Sequence, residues 1–286
     1  MNLTVAEYRE LIRSEGSALL AQLERIKQDD WSRPSPCEGW DLLNVVVHMQ
    51  LGTMVHTRMV ENALAGKLET PWAVPEGIDA RTYFQQVHRE TYDRGAPYNL
   101  AQLRERLPGY DAALAHATDD DLAKPAWFYG LPDTTLRNPI SAFANDLIVH
   151  ASDIRRPLGL EPWFSPAGSR YAGAFSHAIL PLLTTADRLA GLSGTVQQTV
   201  DGVTTIATLS SAGLSIAPAA PLPHSGPEGG MGGDGTPDAS IDTDGGTWVL
   251  LTWRSFPPAE AERLGRVQIG GDRALVERYL AAIKTP

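Results

Sequence analysis

The sequence predicts a chain of two domains, α followed by α+β: an N-terminal four-helix bundle over residues 1–165 and a smaller α+β domain over residues 166–286. Three observations carry this. Apolar residues recur at helical spacing in four long stretches before Pro157, strand-like alternation begins only after Pro166, and 286 residues with 43% hydrophobic content suffice for two cores.

The first stretch runs from Val5 to Ile26, where Val5, Tyr8, Leu11, Ile12, Leu19, Leu20, Leu23 and Ile26 fall mostly on one helical face. The segment WSRPSPCEGW breaks it with two prolines and a glycine, and Asp41 then offers a carboxylate to cap a second helix over Leu42 to Leu64. A polar connection with a short helix near Tyr83 to Thr91 leads to the third, from Leu100 to Ala117. The fourth is set by Asn138-Pro139, an N-cap followed by the residue suited to the first helical position, and it stops at Arg155 before Pro157. Four such helices make an antiparallel bundle.

Beyond Pro166 a further helix is expected from Tyr171 to Leu189. Val196 to Leu209 alternates in part and is split by Asp201-Gly202, a pair that tolerates the positive φ angles of a tight hairpin turn, so two strands are expected there. The stretch GPEGGMGGDGTP reads as a mobile surface loop, and with no Lys followed by Ser or Thr it is not a phosphate cradle. Apolar residues resume at Trp248 to Trp253, followed by a strand from Arg266 to Ile269 and a terminal helix from Arg273 to Ile283.

A formal net charge of −10 and no Lys/Arg stripe argue against a nucleic-acid partner. No apolar run approaches the roughly 20 residues that span a bilayer, and MNLTVAEYRE lacks the order of a secretory signal, so a soluble cytoplasmic protein is expected. The single cysteine, Cys37, has no internal disulfide partner and reads as a packed small residue.

Asp146 and His150 stand four apart on the fourth helix, which puts both side chains on one face. Alone, such a pair is an ordinary hydrogen bond. Here Ile140, Phe143, Leu147 and Ile154 form an apolar stripe close to both, and a buried carboxylate and imidazole need a partner. His48 lies among the apolar residues of LLNVVVHMQLG on the second helix. A bundle can bring such inward residues together, and two His with one carboxylate suit zinc or another divalent ion while leaving a coordination position open. Asp153 either orients a ligand histidine or pairs with Arg155 or Arg156. His56 reads as a partly exposed bundle position, and His88, His116, His177 and His224 have no ligand-like spacing. Trp31 and Trp40 read as packing residues.

WSRPSPCEGWDLLNVVVHM, with Trp31, Pro34, Ser35, Gly39, Trp40 and His48, resembles the start of the DinB-like metalloenzymes of the mycothiol-dependent maleylpyruvate isomerase family. DLIVHASDIRRPLG, with Asp146, His150, Asp153 and Gly159, resembles that family's second ligand block, and WVLLTWRSFPPAEAERLGRVQIGGDRALVERYL resembles its sterol-carrier-like second domain. The resemblance implies a DinB-like bundle with a divalent metal, zinc foremost, on His48, Asp146 and His150. It implies mycothiol or a similar small thiol as cofactor and Arg254 as a functional arginine. Two positions depart from the family: Asp146 stands where Glu is usual, and Trp253-Arg254 replaces a Gly-Arg pair.

The reading is a metal-dependent enzyme that activates a small thiol for isomerisation, thiol transfer or conjugation on a small electrophile. Its rivals are a metal-hydroxide hydrolase and a non-catalytic ligand-binding protein. Arg254 either holds a carboxylate of substrate or thiol, or forms a surface pair with Glu260 or Glu262.

Overall fold

The computed structural model describes residues 3–219, 236–253 and 256–283. Most of the glycine-rich stretch and Arg254 lie outside the described residues. The chain divides into two compact units, one up to Gly168 and one from Ser169.

In the first unit, helix α1 (Val5–Leu23) opens with a capping box in which the Thr4 hydroxyl accepts from Glu7 N and the Glu7 carboxylate accepts from Thr4 N. Helix α2 (Leu42–Leu64) starts at Asp41, whose carboxylate accepts from Asn44 N at 2.8 Å, as the sequence predicts. The short helix is α3 (Ala80–Tyr92), and α4 (Gly95–Leu114) begins earlier than expected. Helix α5 (Arg137–Arg155) starts before the expected cap: Asn138 lies inside it, and its side-chain oxygen instead accepts from Thr135 N at 2.8 Å. The four long helices share a core that includes Leu19 from α1, Val60 from α2, Leu103 and Tyr110 from α4, and Ile140 and Phe143 from α5. Each large apolar side chain buried there contributes about 1.5–3 kcal/mol.

Helix α5 sets up the chemistry. From Phe143 to Arg155 every residue except Asp146 is buried. A helix buried on all sides must satisfy its polar groups internally. Arg155 does so by donating to the Gln22 side chain at 2.8 Å and to the Trp163 carbonyl at 3.2 Å.

The second unit begins within α6 (Pro166–Leu183) and builds a five-stranded sheet. Its strands are β1 (Gly194–Val200), β2 (Val203–Ser210), β3 (Gly213–Pro218), β4 (Ala239–Thr243) and β5 (Val267–Gly271), in the order β3-β2-β1-β4-β5. The β1–β2 hairpin turns at Asp201 and Gly202 with φ of 50° and 77°, so the expected positive-φ turn is present. Strand β4 runs parallel to β1, and the other pairings are antiparallel. The apolar run ending at Trp253 is helix α7 (Gly245–Trp253), which is followed by α8 (Pro258–Arg263) and α9 (Arg273–Ile283). A Cβ added at Gly173 on α6 would fall 2.5 Å from the Gly245 Cα, so only glycines permit that backbone crossing. No helix among the described residues is long and apolar enough to cross a membrane.

Candidate metal centre

Neighbouring helices α2 and α5 bring the three sequence-predicted residues together. One ligand atom each from His48, Asp146 and His150 lies within 4.8 Å of the other two. The Asp146 carboxylate sits between two imidazoles: Oδ1 is 3.2 Å from His150 Nε2 and Oδ2 is 3.4 Å from His48 Nε2. The four-residue spacing on α5 explains the first contact and the packing of α2 on α5 the second. A Cβ added at Gly52 on α2 would sit 3.6 Å from Asp146 Oδ2, an ordinary contact, so α2 leaves the shorter carboxylate room to face both rings.

Asp153 does contact the histidine, one of the roles the sequence left open. Its side chain is fully buried, and Oδ2 lies 2.9 Å from His150 Nδ1. An ionised carboxylate only accepts, so Nδ1 carries the donated proton and Nε2 is left to face Asp146. The same Asp153 oxygen accepts from the Cys37 thiol at 3.3 Å. Cys37 is therefore part of a polar relay behind His150, beyond the packing role read from the sequence. Cys37, His150 and Asp153 form a second convergent donor group, but their hydrogen bonds occupy the space between them.

Electrostatics follow from burial and pairing. Burial pushes the Asp146 carboxyl up, but the charges of His150 and His48 outweigh it and hold the group well below the usual carboxylate range. Burial pushes His150 down, but Asp146, with hydrogen bonds to Asp146, Asp153 and Cys37, raises it well above the ordinary imidazole value. Two imidazoles turned toward one carboxylate, one of them oriented by a second carboxylate, are a donor set that suits a borderline divalent ion such as zinc. The residues fit such an ion, whose binding there would take the place of the proton that otherwise joins His150 to Asp146.

Two cavities flank His48. One, of about 520 Å³, is walled mainly by Val55, Trp72, Phe84, Trp127 and Tyr129. The other, of about 600 Å³, is lined by polar groups including Asn44, Gln85, Arg89 and Tyr92. His48, Phe84 and His88 line both. Trp40 covers the centre, its ring 5.3 Å from those of His48 and His88 and 6.4 Å from that of His150. The sequence reading gave Trp40 a packing role and His88 none. Phe84 and His88 stand four apart on α3, the same same-face spacing that drew attention to Asp146 and His150, and this was the signal available.

His56 departs from expectation. It is buried rather than partly exposed, with Nδ1 donating to the Pro139 carbonyl at 3.0 Å and its ring 5.4 Å from that of Phe143. Burial pushes it down to about 4, against the opposing attraction of Asp146.

The fold and site together define a class: a helical bundle with three convergent metal-type donors, of which His48 faces paired cavities, joined to a small mixed-sheet unit. Residues 12–155, about half the chain, match the family model described as the mycothiol maleylpyruvate isomerase N-terminal domain, and the chain belongs to that family. The crystal structure of the mycothiol-dependent maleylpyruvate isomerase matches with a TM-score of 0.57 at 15% identity, over 87% of this chain and 88% of that one. A histidine-to-alanine mutant of that enzyme matches with a TM-score of 0.54 at 13% identity and the same coverage. At these identities the likeness establishes the fold over both units. No curated protein sequence matches the chain.

Proposed function

We propose that this protein is a thiol-dependent isomerase or transferase, in which His48, Asp146 and His150 hold a divalent ion, zinc foremost, that serves mycothiol or a similar small thiol. The observation that carries the proposal is the convergence of the three donor atoms, from two helices, at a point flanked by two cavities. A divalent ion bound there supplies a lowered thiol pKa, so that the cofactor reacts as thiolate at neutral pH.

The chain's own residues then position the reactants. Asp153 fixes the His150 ring, and Trp40 shields the donors from bulk water on one side. The polar cavity offers an amide, a cation and a phenol to a hydroxyl-rich thiol, and the apolar cavity excludes water around an electrophile. A thiol bound there would supply reversible addition: its thiolate sulfur would bond to one carbon of a conjugated double bond as the π electrons move onto the adjoining carbonyl, and after rotation about the resulting single bond the returning electrons would release the same thiolate, giving the geometric isomer with no net change in atoms. If the adduct is protonated instead, the outcome is conjugation. Arg254 enters by resemblance as the holder of a carboxylate on substrate or thiol. The small second domain is the sterol-carrier-like partner of the DinB-like bundle in this reading.

Turnover of a conjugated cis-enoate by the metal-loaded protein, measured with and without added thiol, tests the reading. We expect no turnover without thiol. Equal rates in both conditions would move the assignment to metal-hydroxide hydrolysis.

A further inference from the structure

The apolar cavity beside His48 indicates the kind of substrate. Four aromatic side chains from three segments brace one another around it. Trp72 meets Phe84 edge to face at 4.5 Å and 86°, and meets Trp127 at 5.1 Å and 89°, while Trp127 and Tyr129 lie 5.8 Å apart. Edge-to-face packing is the favoured arrangement for such rings, so the walls support each other and hold the space open. A volume of about 520 Å³ falls in the range of sites for drug-sized ligands, roughly 300–1,000 Å³. A compact aliphatic acid would leave most of this wall uncovered.

Two of the polar residues in this lining are informative together. One is His48, which places the candidate metal centre at the cavity wall. The other is Arg81, the one Lys or Arg in the lining, which forms no ion pair among the described residues. An unneutralised guanidinium beside an aromatic enclosure recognises an anion attached to an apolar body.

We infer that the electrophile is an aryl-bearing conjugated carboxylate: the ring lies among Trp72, Phe84 and Trp127, the anionic group meets Arg81, and the reactive double bond reaches His48. For its reaction this rests on the thiol-dependent reading of the site, but for binding it stands alone. The chemistry is the addition, rotation and expulsion already described and needs no further co-reactant.

Calorimetric titration of the full-length, metal-loaded protein without thiol separates the two. The probes are cinnamate and crotonate, enoates of equal charge that differ in a phenyl for a methyl group, with cinnamamide as the uncharged control. Cinnamate is expected to bind at least about tenfold tighter than crotonate. Trp127→Ala should bring the ratio to within about threefold. Ala80 is exposed at the start of α3 and lines the same cavity, so Ala80→Trp narrows the space without disturbing the core, and it should have the same effect even if Trp127→Ala does not fold. Arg81→Gln should weaken cinnamate about tenfold and leave cinnamamide unchanged. Equal affinity for the two enoates, or full cinnamate affinity in Ala80→Trp, would overturn the inference. Selective cinnamate binding with no thiol-dependent turnover would retain the cavity assignment and remove the reaction.

Discussion

The Asp153 carboxylate holds His150 by its Nδ1 at 2.9 Å, from a position with no solvent exposure. Held from that side, the ring presents Nε2 to Asp146. Partners of this type, when removed, typically lower metal affinity about 10–100-fold. Asp153→Asn keeps the shape and loses the charge. We expect it to fold, to keep the site, and to show a zinc affinity reduced by about that factor in competition with a chromogenic chelator. Wild-type affinity would mean that Asp153 serves only to neutralise its surroundings.

Direct ligation makes a steeper prediction. His48→Ala and His150→Ala should each lose most of the one divalent ion expected per chain, measured by elemental analysis after gel filtration. Asp146→Asn should bind metal more weakly than Asp146→Glu, because the second keeps the charge and only lengthens the side chain by one methylene. The extra length is accommodated beside Gly52, where an added Cβ would sit 3.6 Å from Asp146 Oδ2. Full occupancy in both histidine variants would remove the site; equal affinities in the two Asp146 variants would remove Asp146 from it.

His56 supplies a pH dependence. The ring is buried, faces Asp146 and Tyr129, and has a pKa of about 4 against an ordinary value of 6.5. Because the folded value is depressed, the unfolded chain binds the proton more readily. The associated stability is complete above about pH 6.5 and is lost as pH falls toward 4. At pH 5 the loss from this group is about 2 kcal/mol. His56→Gln keeps a donor for the Pro139 carbonyl and cannot titrate. The drop in Tm between pH 7 and pH 5 should therefore be smaller in the variant than in the wild type. Identical drops would place the acid sensitivity elsewhere.

What the sequence disclosed depended on whether a feature was local. Helix α2 was legible from end to end because Asp41, an apolar periodicity and a flanking proline-rich segment all act within a few residues. The Asp201-Gly202 turn was legible for the same reason, since its φ angles are a property of those two residues. Strand β4 was not, because its pairing with β1 is parallel and joins residues more than forty positions apart. At the site, spacing on one helix exposed Asp146 and His150. The aromatic enclosure gave no such sign: Trp72 and Trp127 are far apart in sequence and lie outside the helices, and only tertiary structure brings them together. His56 was misread because a histidine's burial depends on the neighbouring helix, here α5 and its Pro139 carbonyl.

Arg254 is a functional candidate by resemblance, and it can be tested separately from the metal. The surface alternative proposed from the sequence was a pair with Glu260 or Glu262. Those carboxylates already have partners: Glu260 bonds to Arg263 at 2.5 Å and Glu262 to Arg273 at 2.6 Å. Both carboxylates lie below their ordinary range for that reason, through hydrogen bonds to the arginines. Arg254→Lys discriminates between the roles, because lysine keeps the positive charge but cannot present the planar fork that grips a carboxylate with two parallel hydrogen bonds. A residue that binds a carboxylate during turnover should lose about tenfold or more in kcat/KM on this change, while metal content and Tm stay at wild-type values. A surface pair should show no kinetic effect. Unchanged kcat/KM with a carboxylate-bearing substrate and the thiol would take Arg254 out of the reaction and leave the metal centre as the whole of the functional proposal.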